Sequence, residues 1–253
     1  MTPSFQLYSA RDHGPWDRTF ERLAALGYRA VEGYSALHDE PEALARRLAG
    51  HGLAMPSSHV ALDALENDTD AALAAARALG CKALYAPFLE PARRPTDLAG
   101  WRALAGRLDA VGRRLGAEGL AFGWHNHDFE LEPLADGTVP LEVLLGDAPD
   151  IGWEADLAWV ARAGADPADW IARLGARATA VHVKDVAPAG ECGDEDGWAD
   201  PGHGTMDWDA LMATLLGDGT ERLYVAEHDA PADLDRFARR AAESLSRWTG
   251  APR

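Results

Sequence analysis

The chain has 253 residues, 47% of them hydrophobic, which is enough for one large core and too apolar for a disordered or fibrous class. Its 24 Lys and Arg face 41 Asp and Glu, a formal charge of −17, so nucleic acid and anionic membrane surfaces are disfavoured as partners. Cys81 and Cys192 lie too far apart in sequence for a metal-type pair. With no secretory-type N-terminus and no apolar run of about 18 residues, the chain is expected to be soluble, cytoplasmic and without a membrane partner.

Residues 5–9 predict a first strand, and residues 16–26 a helix whose apolar positions Phe20, Leu23 and Leu26 recur at helical spacing and which Gly27 closes. A second strand (28–34) precedes a helix (40–49) with Pro41 in its first turn. A third strand (53–60), an Ala-rich helix (68–79), a fourth strand (82–86) and a long helix (95–117) follow. The fifth strand covers 122–127. After a short helix at 141–145 come a sixth strand (151–157) and a helix (167–174) that Asp166 is placed to cap. A seventh strand (179–186) leads into a Gly- and Asp-rich loop (187–205), then a helix (208–216), an eighth strand (223–228) and a last helix (233–248). Eight strand–helix units with no linker, in about the length of one such barrel, predict a single-domain α/β fold over 1–253, a (β/α)8 TIM barrel. An open doubly wound sheet is the weaker alternative, because no Gly-rich phosphate fingerprint follows the first strand.

In such a barrel the chemistry sits where the strands end. Five of the nine histidines fall at those ends, His59, His125, His127, His182 and His228, together with Glu32, Glu154, Asp156, Asp185 and Glu227. Residues two apart on a strand share a face, which groups His125 with His127, Glu154 with Asp156, and His182 with Lys184. Glu227 and His228 oppose each other, with Glu227 favoured inward. Charges buried in apolar strands need partners or a metal. Mixed imidazole and carboxylate donors suit Mn, Zn, Co or Fe and tolerate Mg. Asp156, His182 and Glu227 are assigned as ligands, with His125 favoured over Glu154 as the fourth. Glu32 is a candidate for orienting a ligand imidazole, and His59 is either a substrate contact or a loop histidine.

Several stretches together make the chain resemble the sugar phosphate isomerase/epimerase superfamily of xylose isomerase-like barrels. They are Tyr28-Arg-Ala-Val-Glu-Gly-Tyr, Trp124-His-Asn-His-Asp-Phe-Glu, Trp153-Glu-Ala-Asp-Leu-Ala-Trp, Ala163-Gly-Ala-Asp-Pro, Val181-His-Val-Lys-Asp, Gly202-His-Gly-Thr-Met-Asp-Trp and Val225-Ala-Glu-His-Asp. The resemblance implies a divalent metal held by Glu, Asp, His and Glu from strands five to eight. Asp156, His182 and Glu227 match the last three. The first departs, since His125 stands where related epimerases carry Glu, which weakens a symmetric two-base epimerisation. The His-x-His form is similar to the inosose dehydratase branch.

The expected activity is a metal-dependent sugar or polyol isomerase or epimerase working through a metal-stabilised enediolate. Glu154 or Glu227 would be the base. A keto-sugar or inosose-type dehydratase or lyase is the alternative, with His127, His59 or Lys184 as acid. An endonuclease IV-like nuclease is remote, given the charge. Glu32, His59, Trp124 and Asn126 are expected to bind substrate, and Trp153, Trp159, Trp198 and Trp208 are further surfaces on which a sugar can stack. Asp194, Glu195, Asp196 and Asp200 are expected in a solvated lid that Gly190, Gly193 and Gly197 free to close. A homo-oligomer stays open.

Overall fold

A computed structural model describes residues 3–250. In chain order the strands are β1 (Ser4–Gln6), β2 (Ala30–Tyr34), β3 (Ala54–His59), β4 (Ala83–Ala86), β5 (Ala121–His125), β6 (Gly152–Asp156), β7 (Ala178–Val183), β8 (Asp185–Val186), β9 (Trp198–Ala199) and β10 (Leu223–Ala226). Eight of them close a parallel barrel in the order β1-β10-β7-β6-β5-β4-β3-β2, and β8 and β9 form a separate antiparallel ribbon. The helices are α1 (Trp16–Ala25), α2 (Pro41–Gly50), α3 (Leu62–Asn67), α4 (Thr69–Leu79), α5 (Leu98–Ala117), α6 (Pro140–Asp147), α7 (Leu157–Arg162), α8 (Pro167–Leu174), α9 (Trp208–Gly217) and α10 (Leu234–Thr249).

The apolar stripes of the helices pack on the outside of the barrel, as with Phe20 and Leu23 of α1 and Phe237, Ala241 and Leu245 of α10, all buried. Part of the acidic excess is structural. Asp68, Asp97, Asp156, Asp166, Asp207 and Asp233 each stand before a helix and accept a backbone N–H of its first turn, satisfying donors that a helix start leaves open.

The eight units are those the periodicity predicts, but their ends differ. Strand one stops at Gln6, and Leu7–Ala10 turns into a 3-10 helix. Strand five stops at His125 and strand six at Asp156, whose carboxylate caps α7 directly. The acidic loop is not a freely solvated lid. Glu195 and Asp200 are 5% and 3% exposed; Arg236 bonds both, at 2.6 Å and 2.8 Å, and Arg240 bonds Asp200 at 3.0 Å. Asp194 and Asp196 remain exposed.

One side chain gathers several backbone donors of the Gly202–Trp208 segment. The Asp185 carboxylate accepts the backbone N–H groups of Val186, Gly202, Gly204 and Met206 at 2.9–3.1 Å. A Cβ on Gly204 would collide with that carboxylate and with the Val186 carbonyl. No helix of the described residues is long and apolar enough to cross a membrane, and both cysteines are free thiols.

Candidate metal centre at the barrel mouth

Register brings the strand-end residues together. Gln6 pairs with Glu32 across β1 and β2, Glu32 with Ser57 across β2 and β3, His125 with Glu154 across β5 and β6, and Asp156 with His182 across β6 and β7. Glu32 is buried, and its Oε1 accepts Gln6 Nε2 at 2.8 Å while its Oε2 accepts Ser57 Oγ at 2.5 Å. Glu32 Oε1 also meets His182 Nε2 at 2.8 Å, and Glu227 Oε2 meets His182 Nδ1 at 3.0 Å. His182 is therefore held between two carboxylates. Burial works against its charged form, but Glu154 and Glu227 raise its pKa well above the ordinary value.

Two groups of candidate ligand atoms result, each with all its atoms within 4.8 Å of one another: Asp156, His182 and Glu227, and His59, His125, Glu154 and His182. Every member is buried. The expected fourth ligand, His125, gathers with the second group rather than the first. Asp156 Oδ1 accepts Ala158 N and Trp159 N, at 3.0 Å and 2.9 Å, whereas the buried Oδ2 has no hydrogen-bond partner. His125 Nδ1, His127 Nδ1 and Glu154 Oε1 are likewise buried without one. Buried polar atoms are nearly always paired, so these open acceptors, converging with imidazoles, fit a bound cation.

Burial first, then the positive field of neighbouring groups, depresses the pKa of His125 and His127 well below the usual value. Both are neutral at pH 7, the state a ligand or proton acceptor requires. Burial would raise Glu154, but His182 and His59 outweigh it and bring the carboxyl to about 2. His59 is the converse: burial is overcome by Glu154 and Glu32, and its pKa rises to about 9. Burial lifts Asp156 to about 7 against the pull of Lys184.

Lys184 is fully buried. Its Nζ bonds Asp229, lies 3.4 Å from Glu227 Oε2 and 3.8 Å from Asp156 Oδ2, and sits 4.9 Å and 4.1 Å from the ring centres of Trp159 and Trp198. Burial opposes its charge, but Asp229, Glu227 and Asp156 raise its pKa further, so it stays a fixed cation.

A cavity of about 340 Å³ opens over this cluster, lined by His59, His125, His127 and Glu227, and by Asp229, Tyr8, Tyr34 and Phe88. The last four were not singled out in the sequence. Asp229 and Tyr34 had a signal, as the last residues of Val225-Ala-Glu-His-Asp and Tyr28-Arg-Ala-Val-Glu-Gly-Tyr. Tyr8 and Phe88 are 41% and 38% exposed. A cleft of about 410 Å³ between the starts of α1 and α10 contains none of the strand-end groups.

Other expected contacts lie behind the cavity wall. Trp124 is fully buried and donates Nε1 to Glu130 at 2.8 Å. Asn126, also fully buried, accepts Trp153 Nε1 at 2.8 Å and Asp156 N at 3.0 Å and donates to Asp156 O at 3.1 Å. Trp208 donates to the Lys184 carbonyl. Outward-facing His228 packs on Phe237.

The model of the xylose isomerase-like TIM barrel family matches residues 20–248. Among solved structures, a sugar phosphate isomerase/epimerase from Parabacteroides distasonis is 18% identical, with a TM-score of 0.81 over 96% of this chain and 93% of that one. A probable 3-DHS dehydratase, AsbF, from Bacillus anthracis is 13% identical, with a TM-score of 0.77 over 97% and 99%. The IOLI protein, solved with a bound zinc atom, is 16% identical, with a TM-score of 0.77 over 98% and 96%. No curated protein matches the chain in sequence. Its closed parallel barrel, with imidazoles and carboxylates gathered at one end, and the match across nearly its whole length lead to one conclusion: the chain belongs to the xylose isomerase-like TIM barrel family.

Proposed function

We propose that this protein is a divalent-metal-dependent enzyme that moves a proton next to a carbonyl of a small sugar or polyol-derived substrate, as an isomerase or epimerase. The observation that carries the reading is the open, buried Oδ2 of Asp156 facing His182 and Glu227 at the foot of a cavity. Asp156, His182 Nδ1 and Glu227 would hold the ion. Three protein ligands with an open position are the pattern of a catalytic site. Mn, Zn, Co and Fe suit these donors, and Mg is tolerated. When bound, such an ion supplies Lewis-acid polarisation of a carbonyl.

The protein groups divide the remaining work. Glu32 accepts His182 Nε2–H, which turns Nδ1 toward the ion. Both contacts of Glu227 in the described residues use Oε2, which leaves Oε1 for a substrate proton. His127 follows β5 and Glu227 follows β10; β7 and β6 stand between these strands in the ring. A neutral imidazole and a carboxylate thus face the same cavity from different sides, each able to take a substrate proton and return it. Glu154 does not line the cavity and is engaged by His59, so it acts from behind. Lys184 supplies a fixed positive charge rather than a proton. Trp124 and Asn126 position the site instead of touching substrate, whereas Tyr8, Tyr34, Phe88 and His59 form the contact surface.

A dehydratase or lyase reading is favoured by one feature: the imidazole of His59, held protonated by Glu154 and Glu32, lines the same cavity and is suited to protonating a departing oxygen. A nuclease is disfavoured by the charge of −17. Incubating the metal-loaded protein with keto-sugars and inososes in D2O separates the readings. Deuterium incorporation at unchanged molecular formula is the isomerase result, and loss of water or an alcohol is the lyase result. Absence of either across the panel, in protein shown to hold metal, would contradict both.

A further inference from the structure

The group of His59, His125, Glu154 and His182 is not used as a ligand set by the reaction proposed above, although His182 belongs to both groups. It lies one layer deeper, because Glu154 precedes Asp156 by two residues on the same face of β6. Its members come from four strands, β3, β5, β6 and β7. A four-coordinate ion with bonds of about 2.0–2.1 Å spaces its ligand atoms roughly 3.4 Å apart. His125 Nδ1 is 3.4 Å from Glu154 Oε2, which matches that spacing, and His182 Nε2 is 3.4 Å from the other oxygen of the same carboxylate, Oε1.

Two further observations point to a ligand. His125 Nδ1 and Glu154 Oε1 have no hydrogen-bond partner, although the residues are 2% and 0% exposed. Glu32 stands behind the group, with Oε1 3.3 Å from His59 Nε2 and 2.8 Å from His182 Nε2. Gln6 and Ser57 hold it there. It adds negative charge and orients both imidazoles. His59 and His125 line the cavity, which gives an ion a route in.

The geometry points to a second cation site, built from His59, His125, Glu154 and the Nε2 of His182, which joins the mouth site as an imidazolate once its Nε2 proton passes to Glu32 Oε1, 2.8 Å away. Where His59 Nε2 and Glu154 Oε2 now meet across a proton at 2.6 Å, the ion takes the proton's place. Three imidazoles and one carboxylate select a borderline first-row ion such as Zn, Co or Fe(II) over Mg or Ca. The proposal rests on the reading above only through His182.

Zinc stoichiometry after saturation and gel filtration tests it, with wild type beside His59→Ala, Glu154→Gln and Asp156→Asn. The expected result is two equivalents in wild type and one in each variant. Wild-type crystals soaked in Zn(II) should then show two anomalous peaks, one on each side of the His182 ring, a readout that needs no variant to fold. Loss of an ion in the His59 and Glu154 variants, with Asp156→Asn unchanged, upholds the deep site and removes the mouth site. A single equivalent that survives His59→Ala and Glu154→Gln, with one peak beside Asp156, overturns the proposal.

Discussion

Two carboxylates near the ends of adjacent strands, both fully buried, are treated in opposite ways. Glu130, in the loop after β5, has a donor for each oxygen: Trp124 Nε1 at 2.8 Å and His127 N at 2.9 Å. Asp156, at the end of β6, directs Oδ1 to the start of α7 and leaves Oδ2 open, with Lys184 Nζ no nearer than 3.8 Å. An unmade buried hydrogen bond costs about 1–3 kcal/mol. Glu130 has the satisfaction of a structural group, whereas the open oxygen of Asp156 stands beside His182 and Glu227. The difference separates the acid that holds the loop from the acid that holds the ligand.

The largest effect that would break this division is at His182. His182→Ala removes the imidazole from both ligand groups, and losing the several kcal/mol a catalytic ion supplies should lower kcat/KM by about a thousandfold or more. Thermal unfolding of the variant would separate that loss from misfolding. If turnover survived, the mouth would not be the catalytic centre.

Glu130→Ala should act on stability, by about 2–5 kcal/mol, because it strands two buried donors. Urea unfolding measures it. Burial raises the Glu130 pKa to about 8 from an ordinary 4.5, so the folded state binds the proton more tightly than the unfolded one. That contribution is fully present below about pH 4.5 and is lost as pH rises through about 8. Glu130→Gln should flatten this part of the stability profile between pH 5 and 8, and an unchanged slope would assign it to other groups.

Asn126→Ala sharpens the comparison from the other side. The amide ties Asp156 N and O to the Trp153 indole, so its loss should weaken metal binding by about 10–100-fold, read by competition with a chromophoric chelator. The smallest effect is expected at Arg236→Ala, which frees Glu195 and Asp200 while Arg240 still holds Asp200. Faster limited proteolysis within 187–205 is the expected result, with little change in unfolding midpoint.

The fold was legible because each unit carries its own period: Phe20, Leu23 and Leu26 mark a helix without reference to anything distant. The loop was misread for the opposite reason. Asp200 and Arg236 are 36 residues apart, and local composition shows the acid but not the arginine that buries it. The site divides the same way. Asp156, His182 and Glu227 were legible as strand-end residues, and alternation set the face of the first two within their own strands. The partners of His125 depend on the register between β5 and β6, which sets Glu154 beside it and which spacing within one strand does not encode. Trp124 and Asn126 sit in the right motif, but their directions are fixed by Glu130, Trp153 and the backbone of Asp156.

The most direct test of the central claim, that the mouth of this barrel holds a divalent ion, is the metal content of purified protein reconstituted with Zn, Mn, Co or Fe(II). Wild type would be measured beside Asp156→Ala and His182→Ala. The account predicts bound metal in wild type, loss of the mouth ion in Asp156→Ala and no tightly held ion in His182→Ala. Wild type without metal after reconstitution, or a His182→Ala variant that retains the full content, would contradict it.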